Sequence, residues 1–369
     1  MKRMLYISNV SRSKMNYGFS GSAIEAAHAL GYEFYSVANR SNSSQDNIRQ
    51  DELKYNIKLL HIDLVRNPFS LQNIVAYKQL VRIIREGDFE LIHCNTPIGG
   101  LLGRLAGRRC KVKRIIYQAH GFHFYKGAPL KNWLLFYPVE KLCSYFTDVL
   151  ITINREDYAL AQRKMKAKKV VYVPGVGIDL EKFRNDKTDM SAKRIELGIP
   201  AEANWALNIG ELIPRKNHET LIRAVAQIEN LHLTIAGQGP LKNQLASLIK
   251  ELGIANRVQL LGYRLDISDL CNACDFFVFP SFHEGLPVSV MEAMACGLPV
   301  ACSRIRGNTD LIDENGGALF DPHSVEDCRR AIEALLQQDM SKISAYNLEK
   351  IKQFELNRII SFMKDIYNQ

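Results

Sequence analysis

The sequence has 369 residues, 47% hydrophobic and 24% charged, with 48 Lys and Arg against 39 Asp and Glu. That length suits two domains at roughly 100–200 residues each, and the composition is that of an ordinary soluble globular chain. Low-complexity, short-repeat and membrane-spanning classes are excluded, because no short period recurs and no apolar run nears the roughly 20 residues that cross a bilayer.

The N-terminal apolar stretch, residues 5–10, has the length of a strand and is too short for a secretion signal. The expected location is therefore cytoplasmic. The eight cysteines lie mostly in apolar context, as reduced core thiols do. Cys271 and Cys274 form the single C-x-x-C. They lack a second pair for zinc and sit in a helical run, so neither metal nor redox chemistry is expected of them. Charge is uneven: residues 1–180 hold 27 basic and 14 acidic residues, and residues 181–369 hold 21 and 25. The basic half points to an anionic surface or substrate, lipid headgroups or nucleic acid.

Strand and helix patterns alternate along the first half. Strands are predicted at 5–10, 33–38, 58–64, 91–94, 114–119 and 149–153. Helices are predicted at 20–30, 70–85 (with Ser70 as N-cap), 98–108, 130–146 and 155–166, and residues 40–50 read as a polar loop. This is the βαβ signature of a parallel sheet covered on both faces. Residues 173–179 break the pattern and read as a hinge, with a polar linker to about 203. Alternation then resumes with strands at 206–209, 231–236, 258–261, 276–279 and 300–302. The predicted helices are at 217–228, 241–252, 287–296, 324–337 and 341–367. The expected architecture is α/β, two Rossmann-like β/α/β domains facing across a cleft. The expected boundaries are 1–175, 176–345 and a C-terminal segment, 346–369, returning towards the first domain.

In open parallel sheets ligands bind beyond the carboxyl ends of the strands. The loops there are accordingly the candidates for chemistry. Gly18 and Gly21 follow the first strand and would let a phosphate or sugar approach the backbone. His120 directly follows the strand at 114–119. Beyond it, Phe122, His123, Tyr125, Lys126, Lys131 and Trp133 form an aromatic and basic stretch suited to a membrane interface. Gly210 precedes Arg215 and Lys216 at a helix start, where two fixed cations would neutralise charge growing on a diphosphate. Gly237, and then Tyr263 with Arg264, close the next two strands and offer groups to a base or phosphate.

The densest stretch runs from His283 to Ala301. Gly285 and Leu286 lead into a helix that starts at Pro287 and runs on through Val288, with Pro at its first position and Gly297 as its left-handed cap. The free N–H groups at the helix start, with the positive end of the dipole, make an anion site. Glu284 and Glu292 bracket it. An anion site flanked by carboxylates suits a ligand with both phosphate and hydroxyls, such as a nucleotide sugar. No D-x-D occurs in the chain, so no metal is expected to bridge the diphosphate, and no cofactor is expected.

With these residues in hand, the chain resembles the family 4 retaining glycosyltransferases of the GT-B fold, most of all the bacterial enzymes of exopolysaccharide and capsule assembly. The resemblance rests on His93–Pro97, Ala119–Pro129, Thr152–Tyr158, Arg215–His218 and the Glu284…Glu292 spacing. It implies that Glu284 contacts the donor sugar, Glu292 the ribose hydroxyls, Arg215 and Lys216 the diphosphate, and the Tyr263–Arg264 loop the base. It places His120 beside the transferred sugar. The relatives' paired glycines of the first loop are here separated as Gly18 and Gly21. The implied reaction moves a sugar from a UDP-sugar or other nucleotide sugar to a polyprenyl-diphosphate-linked saccharide, with retention and without metal. The implied enzyme is peripheral on the inner face of the plasma membrane, with no nucleic-acid partner. A sugar-nucleotide epimerase of the same fold and a non-catalytic binder of anionic surfaces are the rivals.

Overall fold

The computed structural model describes residues 2–10, 17–183 and 190–369. The chain forms two compact units, Met1–Gly177 with Leu356–Gln369, and Ile178–Glu355.

The first unit alternates β1 (Lys2–Val10), α1 (Tyr17–Ala29), β2 (Tyr32–Asn39), α2 (Gln45–Tyr55), β3 (Lys58–His61), α3 (Gln72–Gly87) and β4 (Leu91–Asn95). It continues with α4 (Pro97–Arg109), β5 (Arg114–Ala119), α5 (Leu130–Ser144), β6 (Val149–Thr152), α6 (Arg155–Lys164) and β7 (Lys169–Tyr172). The seven strands pair in parallel in the order β3-β2-β1-β4-β5-β6-β7. The inner strands β4, β5 and β6 are buried at nearly every residue, as strands covered on both faces are. One face packs on α3, α4 and α5 through Leu80, Val81, Leu102 and Ala106, with Trp133 and Phe136 partly buried against it. The other face packs on α1 through Ile24 and Ala27.

The second unit runs α7 (Leu180–Phe183), α8 (Met190–Glu196), β8 (Asn204–Ile209), α9 (His218–Val225), β9 (Leu231–Ala236), α10 (Lys242–Glu251), β10 (Val258–Gly262) and α11 (Ile267–Ala273). Then come β11 (Phe276–Phe279), α12 (Val288–Ala295), β12 (Val300–Ser303), α13 (Asn308–Leu311), β13 (Gly317–Phe320), α14 (Val325–Leu336) and α15 (Met340–Ile351). Its six strands are parallel in the order β10-β9-β8-β11-β12-β13. The last helix, α16 (Leu356–Asn368), belongs to the first unit, where Ile359, Met363, Ile366 and Tyr367 join the core beneath α1.

Four differences from the sequence expectation have physical causes. Residues 40–50 are not all loop: Ser44 N-caps α2 by accepting the Asn47 N–H, although only Asp51 of that helix is buried, so no apolar stripe marked it. The helix expected at 70–85 starts later, with Leu71 rather than Ser70 at the cap position. Strands β7 and β13 were not expected; each is a sheet edge of four residues, too short to stand out from the loops around it. The single helix expected at 341–367 is two. A 3₁₀ turn at Lys352–Phe354 and extended Glu355 interrupt it, and the Phe354 carbonyl accepts the Ile178 N–H at 2.9 Å.

Candidate active site

In the first unit the site is built at the carboxyl ends of β1, β4 and β5. Asn95 ends β4 and is wholly buried. Thr96 follows with φ 64°, and Pro97 then opens α4. A β-branched residue in the left-handed region is strained and needs a local restraint. Asn9 supplies it: its Oδ1 accepts from Thr96 Oγ1 at 2.7 Å and from the Gly99 N–H at 2.9 Å. His120, one residue past β5, donates from Nε2 to Asn95 Oδ1 at 2.9 Å. The Phe19 ring lies 4.2 Å from the imidazole, centroid to centroid. Burial pushes the His120 pKa down to about 3, so the ring is neutral at physiological pH and cannot act there as a proton donor of imidazolium type. One strand-register away, buried His93 holds the Tyr367 hydroxyl of α16 at 2.6 Å.

Gly18 and Gly21 are not in a loop, as expected from the sequence. They lie in the first turns of α1, because that helix begins at Tyr17; the loop proper, residues 11–16, is outside the described residues. Gly21 is packed under Tyr17, where a Cβ would fall 2.8 Å from the ring. Close helix packing therefore accounts for it without a ligand.

The aromatic stretch also differs from expectation. Phe122 is buried, stacks on Phe124 at 4.8 Å and donates its N–H to Asp157. Trp133 packs 5.6 Å from Phe124 and 5.8 Å from Tyr137. Phe122 and Phe124 are core, and Trp133 is partly buried against them, so this cluster does not present the freely exposed rings predicted. His123, Lys126 and Lys131 are exposed, and Tyr125 is half-buried. An exposed apolar stretch lies instead on the outer side of α5, at Leu130, Leu134, Leu135, Val139 and Leu142. The inner side of that helix is pinned by Arg104 of α4, which is fully buried, bonds both Glu140 oxygens and stacks 3.9 Å over the Tyr117 ring.

In the second unit the site gathers at the ends of β8, β11 and β12. A 3₁₀ turn, Pro214–Lys216, carries the two cations. Arg215 Nη1 meets Glu284 Oε1 at 2.5 Å and the His283 carbonyl at 3.1 Å; Lys216 Nζ meets the same Glu284 oxygen at 2.8 Å. Glu284 and Lys216 are nearly buried, Arg215 about one-third exposed. Lys216 also lies 4.6 Å over the Phe279 ring. Burial lowers the Lys216 pKa and the Glu284 charge opposes that shift. The turn is held because the Phe282 N–H donates to the Arg215 carbonyl at 2.9 Å. Left-handed Asn217 (φ 55°) ties it to the Pro280 and Pro322 carbonyls. Gly210 and Gly237 cross back to back: a Cβ on Gly237 would lie 1.8 Å from the Gly210 carbonyl oxygen. Their requirement is backbone crossing.

Gly285 and Leu286 lead to Pro287, which sits at the N-cap of α12, one position before that expected. The helix starts at Val288, which is exposed, and Gly297 at φ 74° ends it. Glu292 lies in the second turn. Burial raises its carboxyl to about 7, with Lys182 opposing. Tyr263 is exposed at the end of β10. Arg264 is not held out beside it: its guanidinium is engaged by Asp266 and by Glu196 of α8.

Five contributors were missed in the sequence. Arg306, nearly buried after β12, donates from Nε to the Glu284 carbonyl at 3.1 Å, and Gly307 (φ 80°) lies flat against Gly285. The signal was available, since this loop also ends a strand. Asn95 and Thr96 stood in a motif without a role, and Asn9 carried no signal. Among the described residues no group of three or more His, Cys, Asp or Glu is placed to hold a metal ion, and no helix is long and apolar enough to cross a membrane.

Residues 189–352 match the family described as glycosyl transferases group 1, and residues 16–154 match glycosyl transferase 4-like. EpsD of Bacillus subtilis (strain 168), assigned as a glycosyltransferase, is 33% identical over 350 residues, 92% of this chain and 90% of that protein. The UDP-Gal:alpha-D-GlcNAc-diphosphoundecaprenol alpha-1,3-galactosyltransferase of Escherichia coli is 27% identical, covering 82% and 81%. The crystal structure of Anabaena HepE with UDP-glucose superposes with a TM-score of 0.80 over the whole of both chains, at 20% identity. Two parallel-sheet units with these matches on both make the chain a member of the family 4-type glycosyltransferases, with the GT-B fold.

Proposed function

We propose that the protein transfers a hexosyl or N-acetylhexosaminyl group from a UDP-sugar to a polyprenyl-diphosphate-linked saccharide in bacterial surface polysaccharide synthesis, with retention and without a metal. The observation that carries this reading is the single Glu284 oxygen shared by Arg215 and Lys216 at the loop that leads to α12. Two cations, one of them partly desolvated, stand ready for a diphosphate, and one carboxylate holds them in register until it arrives. The donor's C1–O bond breaks with its electron pair going to the diphosphate, whose growing charge Arg215, Lys216 and the α12 N-terminus stabilise. Glu284 fixes the sugar. The acceptor oxygen bonds to C1 from the face the diphosphate leaves, and its proton passes to the departing phosphate oxygen. Glu292 holds the ribose hydroxyls and Tyr263 the base.

The printed substrates of the Escherichia coli relative support a lipid-linked acceptor. A protein working on such an acceptor must meet the bilayer, and the charge distribution supports this. The N-terminal unit has 29 Lys and Arg against 14 Asp and Glu, a balance of +15, and the other unit −6. The docking surface is the outer side of α5 with Lys126 and Lys131, facing anionic lipid on the inner leaflet of the plasma membrane. The test is product analysis by mass spectrometry and NMR with a panel of UDP-sugars and lipid-linked acceptors, with and without EDTA. A new α-linkage from an α-linked donor, formed in EDTA, is expected. An inverted linkage, EDTA loss rescued by Mg²⁺, or epimerised donor formed without acceptor would each overturn the corresponding part.

A further inference from the structure

His120 has two ring nitrogens with different surroundings. Nε2 faces the side-chain oxygen of Asn95 at 2.9 Å, inside the unit. Nδ1 accepts from none of the described residues, and the ring keeps part of its surface accessible. Phe19 covers one face of the ring. Asn95 is fully buried at the last position of β4, and the next residue is the left-handed Thr96. That conformation is unfavourable for Thr and persists only where its surroundings impose it. Asn9 of β1 imposes it by gripping both Thr96 Oγ1 and the Gly99 N–H. Three adjacent strands thus converge on one imidazole.

We propose that Asn95 is a positioning residue that holds His120 as the Nε2–H tautomer, so that Nδ1 is presented to a substrate hydroxyl as a hydrogen-bond acceptor, and that the Asn9–Thr96 clamp sets Asn95 for this task. Which nitrogen of a histidine carries the proton is set by the partner of the other nitrogen. An amide oxygen accepts only, so it selects Nε2–H. The ring stays neutral because burial disfavours its charge. His120 then orients a hydroxyl rather than moving a proton. The chemical class this recognises is a sugar hydroxyl, on donor or acceptor. The inference rests on the proposed role of His120 in sugar transfer, and the experiment separates the two.

The full-length protein is labelled with ¹⁵N-histidine. In the unmodified protein, His120 Nδ1 is expected to resonate as an unprotonated nitrogen and Nε2 as a protonated one, with no titration between pH 5 and 8. The opposite tautomer would overturn the proposal without any variant. Asn95→Ala is expected to mix the tautomers, while Asn95→Asp, which still accepts from Nε2, restores Nε2–H. His93, on the same strand and bound to Tyr367, is the internal control for an intact β4. In turnover, Asn95→Ala is expected to lower kcat roughly tenfold, as loss of an orienting partner does, with Asn95→Asp much closer to the unmodified enzyme. Adding Asn95→Ala to His120→Ala should cost nothing further, because Asn95 acts only through the ring. Additive losses, or unchanged shifts in Asn95→Ala, would overturn the positioning role. Normal turnover by His120→Ala would instead remove the proposed part of His120 in transfer and leave the tautomer result standing.

Discussion

The candidate site of the C-terminal unit is made of full charges: Arg215, Lys216 and Glu284 meet at one carboxylate oxygen. That of the N-terminal unit is made of neutral groups, a histidine that burial keeps uncharged and the amides of Asn9 and Asn95. The surfaces are reversed, since the unit with the neutral site has the balance of +15 and the unit with the charged site −6. Charge inside a site is useful where charge develops during reaction, as on a leaving diphosphate, and costly elsewhere. Hydroxyls need oriented acceptors and donors without net charge. On the proposed function, the contrast gives the diphosphate chemistry to one unit and hydroxyl recognition to the other, and long-range attraction to the basic first unit.

The contrast breaks most easily at Lys216. If its charge acts on the developing diphosphate, Lys216→Ala is expected to lower the turnover number by roughly 10²-fold or more, as losing one oxyanion donor does. The Michaelis constant for donor should change far less. Steady-state kinetics check this, and a variant with normal turnover and only a raised Michaelis constant would move Lys216 from the transition state to ground-state binding.

Glu292 sharpens the comparison from the ribose side. Losing a charged hydrogen bond costs about 1.5–3 kcal/mol, so Glu292→Ala should weaken UDP binding by roughly 10- to 150-fold. Calorimetry checks it. A pH effect follows. Burial raises the Glu292 carboxyl to about 7, so in the free protein its protonated form is favoured. The stability this contributes is present on the acid side and is lost as pH rises through about 7. Ribose hydroxyls donate to the ionised carboxylate, so UDP should release a proton from this group and bind more weakly as pH falls. Between pH 8 and pH 6 the loss is expected to be about tenfold, from the fraction ionised. The phosphate of UDP titrates in the same range, so the relevant quantity is the difference from Glu292→Gln, which should lack this component. Identical pH profiles would refute ribose contact by an ionised Glu292.

How far each site was legible follows the same division. Strands such as Arg114–Ala119, Leu231–Ala236 and Phe276–Phe279 were read with their observed limits, because each is a short, mainly apolar run that stops at a loop rich in Gly, Pro or polar residues. The charged site was legible because Arg215, Lys216, Glu284 and Glu292 are conspicuous residue types at strand ends. Its refinement was not: nothing in Tyr263-Arg264 tells that Asp266 and Glu196 occupy the guanidinium. The neutral site was almost unreadable. Asn9 and Asn95 are common residues on separate strands, and the strain at Thr96 exists only once the chain is folded. Phe122 and Trp133 misled because an aromatic run reads the same whether it packs inward on Phe124 or outward on lipid.

The smallest expected effect concerns the surface of the N-terminal unit. Leu130 and Leu134 are 73% and 68% exposed on α5, and Lys126 and Lys131 are exposed beside them. Trp133 is a poor probe of docking because its removal would open the packing around Phe124 and Tyr137. Lys126→Glu, Lys131→Glu and Leu134→Ser change only exposed groups. Each basic residue near an anionic bilayer contributes about 1 kcal/mol, equivalent to about fivefold in affinity, and the attraction is screened within about 10 Å at 0.1 M salt. Co-sedimentation with phosphatidylserine-containing vesicles at low salt is expected to show the unmodified protein bound and the triple variant bound more than tenfold more weakly. The difference should shrink in 1 M salt to the part contributed by Leu134. Turnover on a lipid-linked acceptor should fall in parallel, while UDP affinity, a property of the other unit, stays unchanged. Equal sedimentation with equal turnover would remove α5 as the docking surface. Weakened UDP binding would show that the substitutions disturb more than the surface they were chosen to alter.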